Sequence, residues 1–291
     1  MATTPHATLT GVDQHEPKGV QDADLGDVYV ADGNGSGTWD PQVVFAYPPK
    51  FIAGMTYENS SGDATNDIVV LSGYCRDSTN TEDIDLASSI TKQLDAAWAV
   101  GTDAGGLDEG TIADATYHIF VIKRTDTDVV DVLFSLSPTA PTMPTDYTKF
   151  RRVGSFLRAS SVIMTLSVAE MAGGAVEVLR TPILDVSVLN QSTVAISRTL
   201  SVPTGVKFSA IVSGITSTNS GGTGALLLTS LDQADTAAST TGIATTAHPA
   251  SDLSGFSGHI RTNTSAQIRT RASAANNVIR LTTHGWIDYR R

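Results

Sequence analysis

The chain has 291 residues, 41% of them hydrophobic and 17% charged, which is enough apolar material for one large or two ordinary globular domains. Its single cysteine, Cys75, excludes an intrachain disulfide and any thiol-paired metal or redox centre. The net charge of −11 is lopsided, with 7 Lys/Arg against 23 Asp/Glu in residues 1–150 and 12 against 7 in residues 151–291, and so acidic a first half disfavours nucleic acid as a partner.

Residues 1–47 read as an extended arm, punctuated by Gly, Asp, Thr and Pro, with short strands only near 28–30 and 43–45. It carries a compact charged knot, His15-Glu16-Pro17-Lys18-Gly19, in which Pro17 fixes φ and Gly19 lets the backbone turn. Asp32-Gly33-Asn34-Gly35, set between VYVA and TW, predicts a small hairpin, because Gly and Asn tolerate positive φ. Pro48-Pro49 then marks a boundary, since paired prolines cannot donate to a ladder. MATTPHATLT lacks the cationic and apolar regions of a secretion signal, and no run approaches the ~20 apolar residues that cross a bilayer, so neither export by such a signal nor membrane insertion is expected.

From Lys50 onward the apolar period is two. Phe51, Ala53, Met55 and Tyr57 are expected on one face of a strand, and DIVVLSGYCR (67–76) reads as another, with Cys75 a buried, inert thiol. Residues 83–99 (DIDLASSITKQLDAAWA) fit both a helical and a strand spacing; the β-rich surroundings favour strand over 84–94. YHIFVIK (117–123) is nearly continuous apolar, as a strand covered on both faces requires, and pairs across RTDTD with an alternating strand through Val130, Val132 and Phe134. FRRVGSF (150–156) starts a further short strand.

Alternation continues through Leu184, Val186 and Val188, through Val194 and Ile196, and through Val206, Phe208, Ala210 and Val212. Residues 214–224 and 242–258, rich in Ser, Thr and Gly, read as irregular loops. A C-terminal hairpin is predicted about Asn276-Asn277, with Ile279, Leu281, Thr283, Ile287 and Tyr289 on one face and Arg280, Thr282, Trp286 and Asp288 on the other. Short strands, frequent turns and few helix formers predict an all-β fold, a jelly-roll-like β-sandwich or two such sandwiches behind the N-terminal arm. The expected divisions are an arm at 1–47, a β-rich domain at 48–160 and a β-sandwich at 161–291, the last two able to merge into one continuous sandwich.

Catalytic and metal-binding patterns are sparse. The six histidines form no HExxH pair, and neither a GxSxG elbow nor a GxxxxGK[ST] loop occurs. The acidic runs at 81–85 and 103–109 lack EF-hand spacing and read as solvated loops. Neither a cofactor, a metal nor a catalytic residue is expected. Trp39, Trp98 and Trp286 are too scattered for a carbohydrate platform and read as packing residues.

Four ordered sets of stretches point further: HEPKGV with VYVADGNGSGTW; LSGYCRDSTN with ITKQLDAAWAVGTDAGGLDEGTI and YHIFVIKR; VDVLFSLSPTAPTMPTDYTKFRRVGSF; and RTLSVPTGVKF with NTSAQIRTRASAANNVIRLTTHGWIDYRR. In these the chain resembles tail-fibre and minor virion structural proteins of tailed bacteriophages, residues 158–180 matching least. The resemblance implies a non-enzymatic virion component mounted on tail or capsid, built of identical copies (often three) and bound to other virion proteins. Under it, His15, Glu16, Pro17, Lys18, Gly19, Tyr29 and Trp39 are the expected anchoring residues, and Arg269, Arg271, Trp286 and Arg290 the expected interface. A jelly-roll carbohydrate-binding module recognising bacterial surface glycans is the alternative, and a host glycan is a partner that both readings admit.

Overall fold

The structure, a computed structural model, describes residues 28–31, 37–40, 47–171, 174–218, 222–250 and 252–290. The chain divides into two compact units, one ending at Ala46 and one beginning at Tyr47. In the first, Val28–Ala31 and Gly37–Asp40 pair antiparallel, with Tyr29 opposite Trp39; the turn between them, the strand expected near 43–45 and the whole of His15 to Gly19 lie outside the described residues.

The second unit is all-β, with no helix among the described residues. An eight-stranded sheet runs in the order Val162–Ile163, Tyr147–Ala159, Thr116–Arg124, Val130–Ser135, Ala104–Leu107, Ile90–Ala97, Asp67–Val70 and Tyr57–Asn59. A three-stranded sheet, Ile52–Gly54, Gly73–Arg76 and Asp83–Leu86, packs beside it. A five-stranded sheet follows, ordered Leu166–Met171, Gly174–Gln191, Asn277–Asp288, Ser209–Thr218 and Ser254–Arg261. It meets a four-stranded sheet of Ile196–Thr199, Gln267–Ala272, Gly224–Ser230 and Thr246–His248. One apolar core runs through all of this, from Met55 and Ile84 to Phe208 and Trp286.

Local chemistry explains the strands. Thr116–Arg124 sits between two antiparallel neighbours, and Thr116 to Ile122 are buried on both faces, as its unbroken apolar run requires. Residues 83–99 form two strands, Asp83–Leu86 and Ile90–Ala97, so the period-two reading prevails over the helical one. Cys75 is fully buried, and desolvation pushes its thiol up to about 12, which leaves it unreactive.

The structure corrects several expectations. Met55 adopts φ 52° and ends the strand at Gly54, so Phe51 to Tyr57 is a broken pair of strands. FRRVGSF belongs to a 13-residue strand, Tyr147–Ala159, rather than a short one. The 18-residue strand Gly174–Gln191 slips register against Asn277–Asp288 three times, once between Leu184 and Val186; Val186 is buried and Leu184 exposed, which the plain alternation missed. The two expected loops contain strands as well. Ser209–Thr218 runs through Gly214, and Thr246–His248 and Ser254–Arg261 occupy 242–258.

Candidate functional site

The strands that join the eight- and five-stranded sheets bring ionisable residues into the core. Between Ile119 and Phe120 the pairing of Thr116–Arg124 with Tyr147–Ala159 shifts by a residue, leaving Val153 unpaired. Such a bulge re-aims its neighbours, and Arg152 here points to the junction. Gly154 beside it is obligatory, since a β-carbon would overlap the Tyr57 ring.

Arg152 forms a two-pronged ion pair with Asp288, Nη1 to Oδ2 at 2.6 Å and Nη2 to Oδ1 at 2.8 Å. The Asp288 carboxylate also accepts from the Arg290 N–H at 2.9 Å. Burial alone would raise Asp288; Arg152 overrides it and holds the carboxyl below its usual range. Arg152 Nη1 further donates to Ser155 Oγ, which stands 2.8 Å from His118 Nδ1. The Tyr57 hydroxyl lies 2.6 Å from the Ser155 carbonyl oxygen and 3.0 Å from Glu177 Oε1. Desolvation, then the neighbouring Asp288 charge, pushes Glu177 well above the ordinary carboxyl range. Desolvation, with Arg152 adding to it, lowers His118 to about 4, so its ring is neutral at neutral pH.

These shifts fix a pH dependence. Above the ordinary carboxyl value of ~4.3 an unfolded chain ionises Glu177 while the folded chain keeps its proton, so this residue opposes folding increasingly as pH rises. His118 acts at the other limb: between 6.5 and about 4 the unfolded ring takes a proton that the folded ring refuses, and stability falls as pH falls. Glu177→Gln is therefore expected to melt higher than wild type near pH ~8 and to match it near pH ~4. Thermal melts at the two pH values check this; an equal shift at both would contradict the assignment.

Beside the junction opens a cleft of about 890 Å³. Six cationic residues line it, Lys50, Arg151, Arg152, Lys207, Arg261 and Arg290, against one carboxylate, Asp288. Phe150, Val206 and the half-exposed Tyr289 supply apolar wall. Arg151 is 6% exposed and donates only to backbone, to the Arg290 carbonyl at 2.8 Å and the Lys50 carbonyl at 3.4 Å. Arg290 is 4% exposed; its Nη1 reaches the Gly54 carbonyl at 3.1 Å, while Nε and Nη2 are buried without a partner. In a chain of net charge −11 this is a local reversal of sign.

The expected site residues fall apart in space. Tyr29 is half-buried in its hairpin, and Trp39 is placed only as a strand residue. Trp286, expected at an interface, is fully buried against Phe208, because its strand turns both faces to protein there. Asp288, read as part of a polar face, is buried for the same reason. Arg290 is buried at the cleft rather than presented outward. Arg269 donates to the Gln233 carbonyl, and Arg271 to the Thr193 carbonyl and Asp235. Among the described residues no cluster of three or more His, Cys, Asp or Glu forms. Asp83, in one of the acidic runs, is tied to Arg76 at 2.7 Å. The charged residues that do converge, Arg151, Arg152 and Glu177, were missed. The available signal was a charge at an inward position of an apolar strand, as in Ala175-Val176-Glu177-Val178-Leu179.

No family model matches the chain. No curated protein matches it. Among solved structures, a chain of the T13 IBDV viral particle aligns at 14% identity over 82% of this chain and 72% of that one, with a TM-score of 0.19. A chain of infectious bursal disease virus, Gx strain, aligns at 12% identity over 84% and 78%, with a TM-score of 0.18. Likenesses this distant establish neither a shared fold nor a shared role.

Proposed function

We propose that the chain is a structural subunit of a bacteriophage virion: a fibre, spike or decoration protein of tail or capsid. In this reading it is non-enzymatic, assembles as a homo-oligomer, trimeric by preference, and joins other virion proteins through residues 1–47. The observation that carries the reading is the build of the second unit. Long strands share one core across several sheets, and the buried charges at their junction bind one another, which makes a stiff all-β body. The order of stretches resembling phage virion proteins supplies the virion.

Deleting residues 1–46 is expected to leave a cooperatively melting body, since residues from Tyr47 onward own that core, and to abolish incorporation into particles. Incorporation at the wild-type level would move the anchor to another surface. The glycan-binding reading draws on the cleft, where Tyr289 and Phe150 stand among cationic side chains. Signal on a glycan array that survives the same deletion supports it, and silence across bacterial polysaccharides leaves the structural role alone.

A further inference from the structure

We propose that the cleft is a binding site for a phosphate-type dianion, free or carried as a monoester on a sugar-sized molecule, held by Arg290, Arg151 and Lys50. The first argument is charge that no ion pair among the described residues cancels. Of the six cations, Arg152 is matched by Asp288. Lys207 is matched by Asp232 at 2.5 Å, and Arg261 lies 3.9 Å from the same carboxylate. Lys50, Arg151 and Arg290 have no carboxylate within ion-pair distance among the described residues, and two of the three are more than nine-tenths buried.

The second argument is geometric. The Nε and Nη2 of Arg290 are unpartnered and shielded from solvent; together they form one edge of the guanidinium, whose two parallel N–H groups match two oxygens of one oxyanion once the side chain turns that edge to the cleft it lines. Leaving two such donors buried and unserved is costly. Glu177, whose Oε2 is also buried without a partner, makes neither an ion pair nor a hydrogen bond with Arg290. Three cations without an ion pair favour a dianion over a single carboxylate. The volume of about 890 Å³ leaves room for a group attached to it, and Tyr289 and Phe150 offer that group an apolar wall.

The test titrates inorganic phosphate into the full-length chain by calorimetry at low ionic strength, with glucose 6-phosphate and glucuronate as parallel arms. Saturable binding at one site per chain is expected, with a dissociation constant on the order of 0.1–1 mM and glucuronate about tenfold weaker. Tighter binding of glucose 6-phosphate than of phosphate marks a phosphomonoester ligand, and equal binding marks the free ion. Arg290→Gln should abolish the heat. Lys50→Gln, at an exposed position, should weaken binding about three- to tenfold while leaving the phosphate-free melting temperature unchanged, so the result does not hang on a variant that misfolds. Absence of saturable heat in the wild type would overturn the proposal. Undiminished binding in both variants would overturn it as well.

Discussion

Asp288→Ala is expected to destabilise the body by about 3–5 kcal/mol, the cost of breaking one side of a buried ion pair, with a matching fall in the urea midpoint. The size follows from what is left behind. Arg152 loses both of its short bonds, at 2.6 and 2.8 Å, and Arg290 loses the acceptor for its N–H. Arg152 then sits beside Arg151 and Arg290, with Glu177 the acid left to act on Arg152 and Arg290. The two partners are 136 residues apart in sequence and join the eight-stranded sheet to the five-stranded one, so the loss should appear as one cooperative transition at lower denaturant. Asp288→Asn keeps the shape and removes the charge, and should recover only a small part. A loss below about 1 kcal/mol, the scale of an exposed pair, would show that water reaches Arg152 and that the junction is not sealed.

The second large effect lies within the eight-stranded sheet. Lys92 and Asp131 form an ion pair of 2.9 Å whose side chains are 0% and 1% exposed. Lys92 Nζ also donates to the Ala99 carbonyl at 2.6 Å and stands 5.2 Å from the Trp98 ring centroid. Asp131 accepts from the N–H groups of Gly101 and Val132. Asp131→Ala is expected to cost about 3–5 kcal/mol, since it strands an ammonium that burial already biases toward losing its proton. Replacing the pair by Lys92→Met with Asp131→Leu removes the stranded charge. Full recovery is not expected, because the Gly101 and Val132 N–H groups would still lack their acceptor, at about 1–3 kcal/mol each where buried. Urea unfolding of the single and double variants checks both statements. A double variant as unstable as Asp131→Ala would show that the lost acceptor, not the stranded charge, sets the cost.

What the sequence revealed tracks how local the cause is. Thr116–Arg124 and its hairpin partner Val130–Ser135 were legible because apolar continuity and a polar turn act over a few residues. The C-terminal hairpin predicted about Asn276-Asn277 was legible in facing alone: Ile279, Leu281, Thr283 and Ile287 are buried, but Gln267–Ala272 and Asn277–Asp288 lie in different sheets. Ser254–Arg261 was not, since it is an edge strand that pairs only with Ser209–Thr218 and stays largely exposed, so backbone pairing rather than an apolar face specifies it. Leu184 was misplaced because a register slip changes the facing of every residue beyond it. The junction depends on pairs such as Tyr57 with Glu177 and Arg152 with Asp288, more than a hundred residues apart, and no periodicity encodes such pairs. A charged residue at an inward position, as at Asp131 or Glu177, marks that a partner exists without naming it.

The proposal that a stiff all-β body is carried on a phage particle by residues 1–47 meets its sharpest test in a cryo-electron microscopy map of the intact particle. Repeated copies of this body are expected on tail or capsid, each joined to a neighbouring virion protein through that segment. Particles that lack the chain altogether, or that hold the body through its sheets with that segment making no contact, would contradict it.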